Sequence, residues 1–152
     1  KMNEFRDLYQ EIILDHNRSP RNFHRMEDAD RAVDGHNPLC GDHFTVFVKL
    51  SGDVISDISF HGSGCAISKA SASVMSSQIK GKTVEEAERL FALFQKVVRG
   101  EVDSSHQLEK LGKLAAFSGV SEFPMRVKCA TLAWHSLHTA LTKPDSSTST
   151  EN

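Results

Sequence analysis

Three cysteines and one aspartate carry the chemistry this sequence offers: Cys40, Asp42, Cys65 and Cys129. Three thiolates and one carboxylate oxygen complete a tetrahedral zinc shell, with no contribution needed from the eight histidines. Cys40 and Asp42 share one short turn with Gly41 between them for bending, whereas Cys65 and Cys129 lie far along the chain. A site assembled from such distant positions exists only once the chain has folded. The plain alternative for each cysteine is a buried small hydrophobe. Context weighs against that for Cys65, which follows Gly62-Ser63-Gly64 and opens a helix. With Ser63 as the cap, Cys65 would stand in the first turn, where free amides favour a thiolate. Cys129, on a helix, says least by itself.

Three thiolates and Asp42 around a divalent ion leave two negative charges, and a buried excess charge needs donors or cations beside it. Arg126 and Lys128 flank Cys129 and are the candidates, the alternative being solvated charges on an exposed helix start. His135 and His138 stand at a ligating spacing, but nothing nearby completes a set. His43 and His61 lie beside the cysteine loops, where they can contribute hydrogen bonds to ligands. No spacing suggests a Cys–His nucleophile–base pair.

Composition narrows the function class. The 152 residues suit one domain, expected over 1–142, and the formal charge of −2 gives no reason to expect nucleic acid or an anionic membrane as partner. No apolar run approaches the roughly 18 residues of a bilayer span. The first residues lack the apolar core of a secretion signal, and three cysteines then fit a reducing cytoplasm, with metal or thiol chemistry rather than disulfides.

The elements that must position these residues follow from periodicity. Phe5, Leu8, Tyr9, Ile12 and Ile13 predict an opening amphipathic helix ending near Pro20. A short strand is expected around Ala32-Val33. Phe44, Val46, Val48 and Leu50 alternate with Thr45, Phe47 and Lys49, Ser51-Gly52-Asp53 turns, and Ile55–Phe60 returns, giving a hairpin. Ala66–Lys80, dense in Ala and Ser, predicts a deeply set helix ended by Gly81. Thr83-Val84-Glu85-Glu86 has capping-box form ahead of the stripe Ala87, Leu90, Phe91, Phe94, Val97 and Val98, which Gly100 stops. A short helix is expected over Ser105–Phe117, then a loop through Ser118-Gly119. Pro124 opens a last helix that is apolar on two faces and therefore buried. Residues 143–152 have nothing to bury and are expected to form a disordered tail. The fold class is therefore α+β, a small antiparallel sheet of about three strands packed against a layer of helices.

With these contexts in place, the chain resembles the SufU/IscU-type iron–sulfur cluster assembly proteins, related to the N-terminal domain of NifU. The resemblance runs from about Leu8 to Leu141. It is carried by Leu8-Tyr9-Gln10-Glu11-Ile12-Ile13-Leu14-Asp15-His16, Asn17-Arg18-Ser19-Pro20-Arg21-Asn22 and Asn37-Pro38-Leu39-Cys40-Gly41-Asp42. Gly62-Ser63-Gly64-Cys65-Ala66-Ile67-Ser68 and Arg126-Val127-Lys128-Cys129-Ala130 complete it. The sequence is more similar to SufU than to IscU. Lys128 stands where IscU-like scaffolds carry His, and Phe123-Pro124-Met125-Arg126-Val127 replaces their chaperone-binding Leu-Pro-Pro-Val-Lys. Gly100–Gly119 looks like the SufU insertion.

The resemblance implies a SufE/NifU-like fold and a zinc-dependent sulfurtransferase serving a SufS-type cysteine desulfurase and downstream Suf assembly proteins. Cys40, Asp42, Cys65 and Cys129 map onto the family's zinc ligands, and Cys40 onto the thiol freed to accept sulfur. The rival implication is a scaffold on which the same residues hold iron or a [2Fe–2S] cluster. A turn can swing out where a buried helix cannot, which points to Cys40 as acceptor and leaves Cys65 and Cys129 holding the metal.

Overall fold

The structure is a computed structural model that describes residues 2–101, 111–142 and 148–149. Helix α1 spans Met2–Arg18; β1 is Arg31–Asn37, β2 Asp42–Ser51 and β3 Val54–Ser63. Helices α2 (Ala66–Ile79) and α3 (Val84–Val98), a 3₁₀ segment Gly112–Val120, α4 (Pro124–Thr142) and β4 (Thr148–Ser149) follow.

The sheet order is β3-β2-β1-β4, with β1, β2 and β3 antiparallel and β4 parallel to β1. Phe44, Val46 and Val48 turn one face of β2 into the core, as their alternation requires, and Ile58 and Phe60 of β3 join them. Phe47, on the opposite face, is also buried, with the Arg25 guanidinium 5.2 Å above its ring. Gly52 takes φ 63 in the two-residue loop, where a hairpin needs a left-handed residue. A register shift at Lys49/Leu50 bends the pair, which alternation alone does not reveal.

Helices α2 and α4 cover the apolar face, α1 lies on α2 and the 3₁₀ segment, and α3 packs on α4. Ala70, Ala72, Ser71, Ser73 and Ser76 of α2 are all buried, so the small residues set this helix deep. Their hydroxyls are paired: Ser71 donates to the Ala130 carbonyl at 2.5 Å, and Ser76 to that of Ser73 at 2.8 Å. Thr83 and Glu86 form both bonds of the capping box. Trp134 of α4 is wholly buried and stacks on Phe94 at 4.7 Å. Among the described residues no helix is long and apolar enough to cross a membrane.

Two expectations change. The helix expected over Ser105–Phe117 is not one α-helix: residues 105–110 lie outside the described residues, and from Gly112 the chain is 3₁₀ through Ser118-Gly119. Gly112 at φ 56 breaks the α-helical path, and Leu114, Ala115, Ala116, Phe117 and Val120 are all buried instead of forming one stripe. Of the expected tail, Thr148–Ser149 pairs with Gly35 and His36 of β1, while residues 143–147 and 150–152 lie outside the described residues. Backbone pairing at a sheet edge needs no apolar side chain, so composition gave no sign of it.

Candidate metal centre

The β1–β2 turn is built on Asn37. Its carbonyl accepts the amides of Cys40 (3.1 Å) and Gly41 (2.9 Å), and its Oδ1 accepts the Leu39 amide at 3.3 Å. Gly41 takes φ 74, which a residue with a Cβ rarely adopts. The turn presents Cys40 to solvent and sends Asp42, only 1% exposed, into the interior as the first residue of β2.

Asp42 meets the start of α2 there. Its Oδ1 accepts the Cys65 amide at 2.7 Å, and its Oδ2 lies 3.8 Å from Cys65 Sγ. Cys65 is itself the N-cap of α2, with Sγ accepting the Ser68 amide at 3.4 Å. This corrects the expected cap at Ser63. Strand β3 continues through Ser63, which pairs with His43, so the helix can begin only after Gly64. Gly64 is required by space: a Cβ there would lie 2.6 Å from Phe44 Cε2 and 2.8 Å from Asp42 Oδ1. Cys129, 3% exposed on α4, brings its Sγ to 3.5 Å from Cys40 Sγ.

Ligand atoms of Cys40, Asp42 and Cys129 all lie within 4.8 Å of one another. Cys65 stands outside that group of three and adjoins it through Asp42. Metal bonds of about 2.0–2.3 Å put tetrahedral ligands about 3.4–3.8 Å apart. The Cys40–Cys129 and Cys65–Asp42 separations fall in that range, and Asp42 has one oxygen committed to an amide and one facing a thiol. The donor set therefore fits a thiolate-rich zinc site.

The thiols are electrostatically unequal. The hydrogen bond from Cys129, then the hydroxyl and amide of Ser68, bring the Cys65 thiol down to about 6, against burial and the Asp42 charge. Cys129 is pushed up from its ordinary value by the bond it gives Cys65, by burial and by the neighbouring negative charge. One proton leaves this pair easily and the second is retained until a cation replaces it.

Arg126 and Lys128, the expected cations, lie on the first turns of α4. The Arg126 guanidinium rests 4.4 Å over the Phe123 ring, and Lys128 is half-buried beside Cys129 on α4. Two uncharged donors stand against the sulfurs. Asn37, fully buried, directs Nδ2 to Cys129 Sγ at 3.8 Å, and Ser68 serves Cys65. Sequence reasoning missed both roles. The signals available were the i, i+3 spacing of Cys65 and Ser68, typical of a helix cap, and an Asn two residues before a turn amide. His61 stacks on Phe23, and His43 lies on the outer face of the sheet, 3.8 Å from Asp34. His138 pairs with Glu88 and His135 packs on Phe91, so neither belongs to the thiol cluster.

Residues 8–143 match the family described as the NifU-like N-terminal domain. The chain belongs to that family. It is 43% identical over 139 residues to the zinc-dependent sulfurtransferase SufU of Bacillus subtilis, covering 91% of this chain and 92% of the relative. It is also 39% identical to the iron–sulfur cluster assembly scaffold protein IscU of Streptococcus pyogenes, covering 92% and 86%. A solved structure from Fervidobacterium islandicum, described as an iron–sulfur cluster assembly scaffold protein for the SUF system, superposes with TM-score 0.81. It is 37% identical, over 89% of this chain and 97% of the other. A NifU-like N-terminal structure from Brucella abortus, at 21% identity and TM-score 0.74, shares the fold. The chain is thus an iron–sulfur cluster assembly protein of the SufU/IscU kind.

Proposed function

We propose that the protein is a zinc-dependent sulfurtransferase that accepts persulfide sulfur from a SufS-type, pyridoxal-phosphate-dependent cysteine desulfurase in the cytoplasm and passes it to downstream Suf assembly proteins. The supporting observation is the graded exposure of a converged thiol set: Cys40 exposed on a turn, Cys65 half-buried at a helix cap, Cys129 buried in a helix. Cys40, Asp42, Cys65 and Cys129 would hold zinc, which keeps thiols deprotonated and, lacking a ligand-field preference, exchanges one ligand for another at low cost.

The rest falls to the chain's own residues. Asn37 holds the turn by backbone bonds that permit a local swing of Cys40. The Cys40 thiolate attacks the terminal sulfur of the desulfurase persulfide; a new S–S bond forms on Cys40, the old one breaks, and the desulfurase cysteine leaves as thiolate. Cys65, fixed by Ser68 and Asp42, and Cys129, fixed by Asn37, keep their places meanwhile.

The likeness to IscU supports a second reading, a scaffold on which a [2Fe–2S] cluster is built on the same four residues. Metal analysis of protein purified without air, combined with a desulfurase-stimulation assay and mass-spectrometric persulfide mapping, separates the two. Colourless protein with one zinc, stimulation, and sulfur on Cys40 is the expected result. Brown protein containing iron and sulfide overturns zinc-dependent transfer, and sulfur on Cys129 with Cys40 unmodified overturns the acceptor.

A further inference from the structure

The outer face of the β1–β2 hairpin carries Asp34, His36 and His43, none of which the thiol cluster uses. His36 and His43 are direct cross-strand partners, and their register pair adjoins the pair Asn37–Asp42. Side chains alternate between faces along a strand, so these rings point away from Asp42. Both histidines and Asp34 are solvent-exposed. The ring centroids stand 6.3 Å apart at 76°, edge to face. His43 Nε2 lies 3.8 Å from Asp34 Oδ1, and the Thr45 hydroxyl donates to that same oxygen.

We propose that Asp34, His36 and His43 form a second, exchangeable site for a borderline divalent cation such as zinc. Directly opposed residues of an antiparallel pair have Cβ atoms about 4.5–5.5 Å apart. Imidazoles on two such positions can reach one ion with bonds of about 2.0–2.1 Å. The Asp34–His43 separation of 3.8 Å is near the about 3.4 Å edge of such a shell, and closure requires His36 to turn its ring toward the same ion. Thr45 fixes the carboxylate, as a hydrogen-bonded neighbour commonly does for a ligating oxygen. Two neutral imidazoles and one carboxylate leave a divalent ion with a net charge of +1 and positions open to water. That set suits a cation taken up and released quickly, in contrast to the thiolate cage on the inner face. The proposal does not depend on which metal or reaction the thiol cluster serves.

The test is a zinc titration of the purified full chain by equilibrium dialysis, with histidine Hε1 resonances followed by NMR. The expected result is a weak zinc equivalent whose binding shifts the His36 and His43 resonances. His36→Ala and His43→Ala each weaken it by about tenfold or more. His24→Ala, an exposed histidine outside β1 and β2, leaves it unchanged, and thiol-bound metal content stays the same in all variants. Absence of any weak equivalent up to millimolar zinc overturns the proposal, as does one that survives the loss of both histidines.

Discussion

Asp42 and Cys65 meet through both oxygens of one carboxylate: Oδ1 takes the Cys65 amide at 2.7 Å, while Oδ2 faces the Cys65 sulfur at 3.8 Å. The same side chain therefore secures the entry to α2 and offers a ligand. Asp42→Asn retains an acceptor for the amide and loses the charge, so thermal stability should change little while zinc loosens by about 10–100-fold. Asp42→Ala should loosen zinc and also lower stability by about 1 kcal/mol, because a half-buried amide loses its acceptor. Chelator competition and thermal melts distinguish the two.

Gly64→Ala should be damaging despite adding one methyl group. The new carbon would press on the Phe44 ring, Asp42 Oδ1 and the Ser68 hydroxyl, at 2.6, 2.8 and 2.9 Å. Metal content is expected to fall more than secondary structure does, as read by metal analysis and circular dichroism on one sample. Full zinc occupancy in Gly64→Ala would contradict the packing described.

In metal-free protein the Cys65 thiol should ionise with a midpoint near 6, ahead of Cys129. Its folded value lies below the ordinary one, so this thiolate contributes stability fully above the ordinary thiol range near pH 9. That contribution is lost as pH falls through about 6. Alkylation rate at Cys65, resolved by mass spectrometry between pH 5 and 9, checks the midpoint. Ser68→Ala removes a hydroxyl donor and should shift the midpoint upward.

Asn37→Ala should detach two parts of the centre at once. The Nδ2 donor to Cys129 disappears, as does the side-chain acceptor that orders Leu39 and hence the Cys40 turn. Zinc affinity should fall by about tenfold, the level typical of groups that orient ligands. Persulfide formation on Cys40 should fall with it, while the melting temperature of the metal-free protein changes far less.

His16 is buried on α1, with Nδ1 2.6 Å from Ser73 Oγ and no hydrogen-bond partner at Nε2. Burial, helped by Arg21, lowers its pKa to about 4. The unfolded chain thus binds a proton between about pH 6.5 and 4 that the folded chain refuses, and stability falls with pH across that window. His16→Gln should flatten this dependence in melts at pH 7, 5.5 and 4.5. An equally steep loss would assign acid sensitivity elsewhere.

Much of this molecule was legible because its signals are local. Alternation at Phe44, Val46 and Val48, the Thr83–Glu86 box and Pro124 at a helix start each act within a few residues, and the structure has the hairpin, α3 and α4 they imply. The meeting of the Cys40–Asp42 turn with Cys129, and of Asp42 with Cys65, was expected from chemical type and family likeness, since no local pattern encodes a meeting between a turn and a remote helix. What escaped depends on backbone geometry or tertiary context. Cys65 rather than Ser63 caps α2 because β3 extends to Ser63 through pairing with β2. Gly112 adopts a left-handed φ that its neighbours do not announce. Asn37 acts on a sulfur 92 residues away, and Thr148–Ser149 pairs with the edge of β1.

The sulfurs of Cys40 and Cys129 touch although 89 residues separate them. An ion gripping both would act as a removable rivet across more than half of the polypeptide, lowering the entropy of the unfolded chain as a cross-link does. In the proposed transfer, Cys40 would let go to receive sulfur while Cys65 and Cys129 went on tying the sheet-to-helix junction to α4. Only the short turn on Asn37 would then be set loose, and the rest of the molecule would stay fastened.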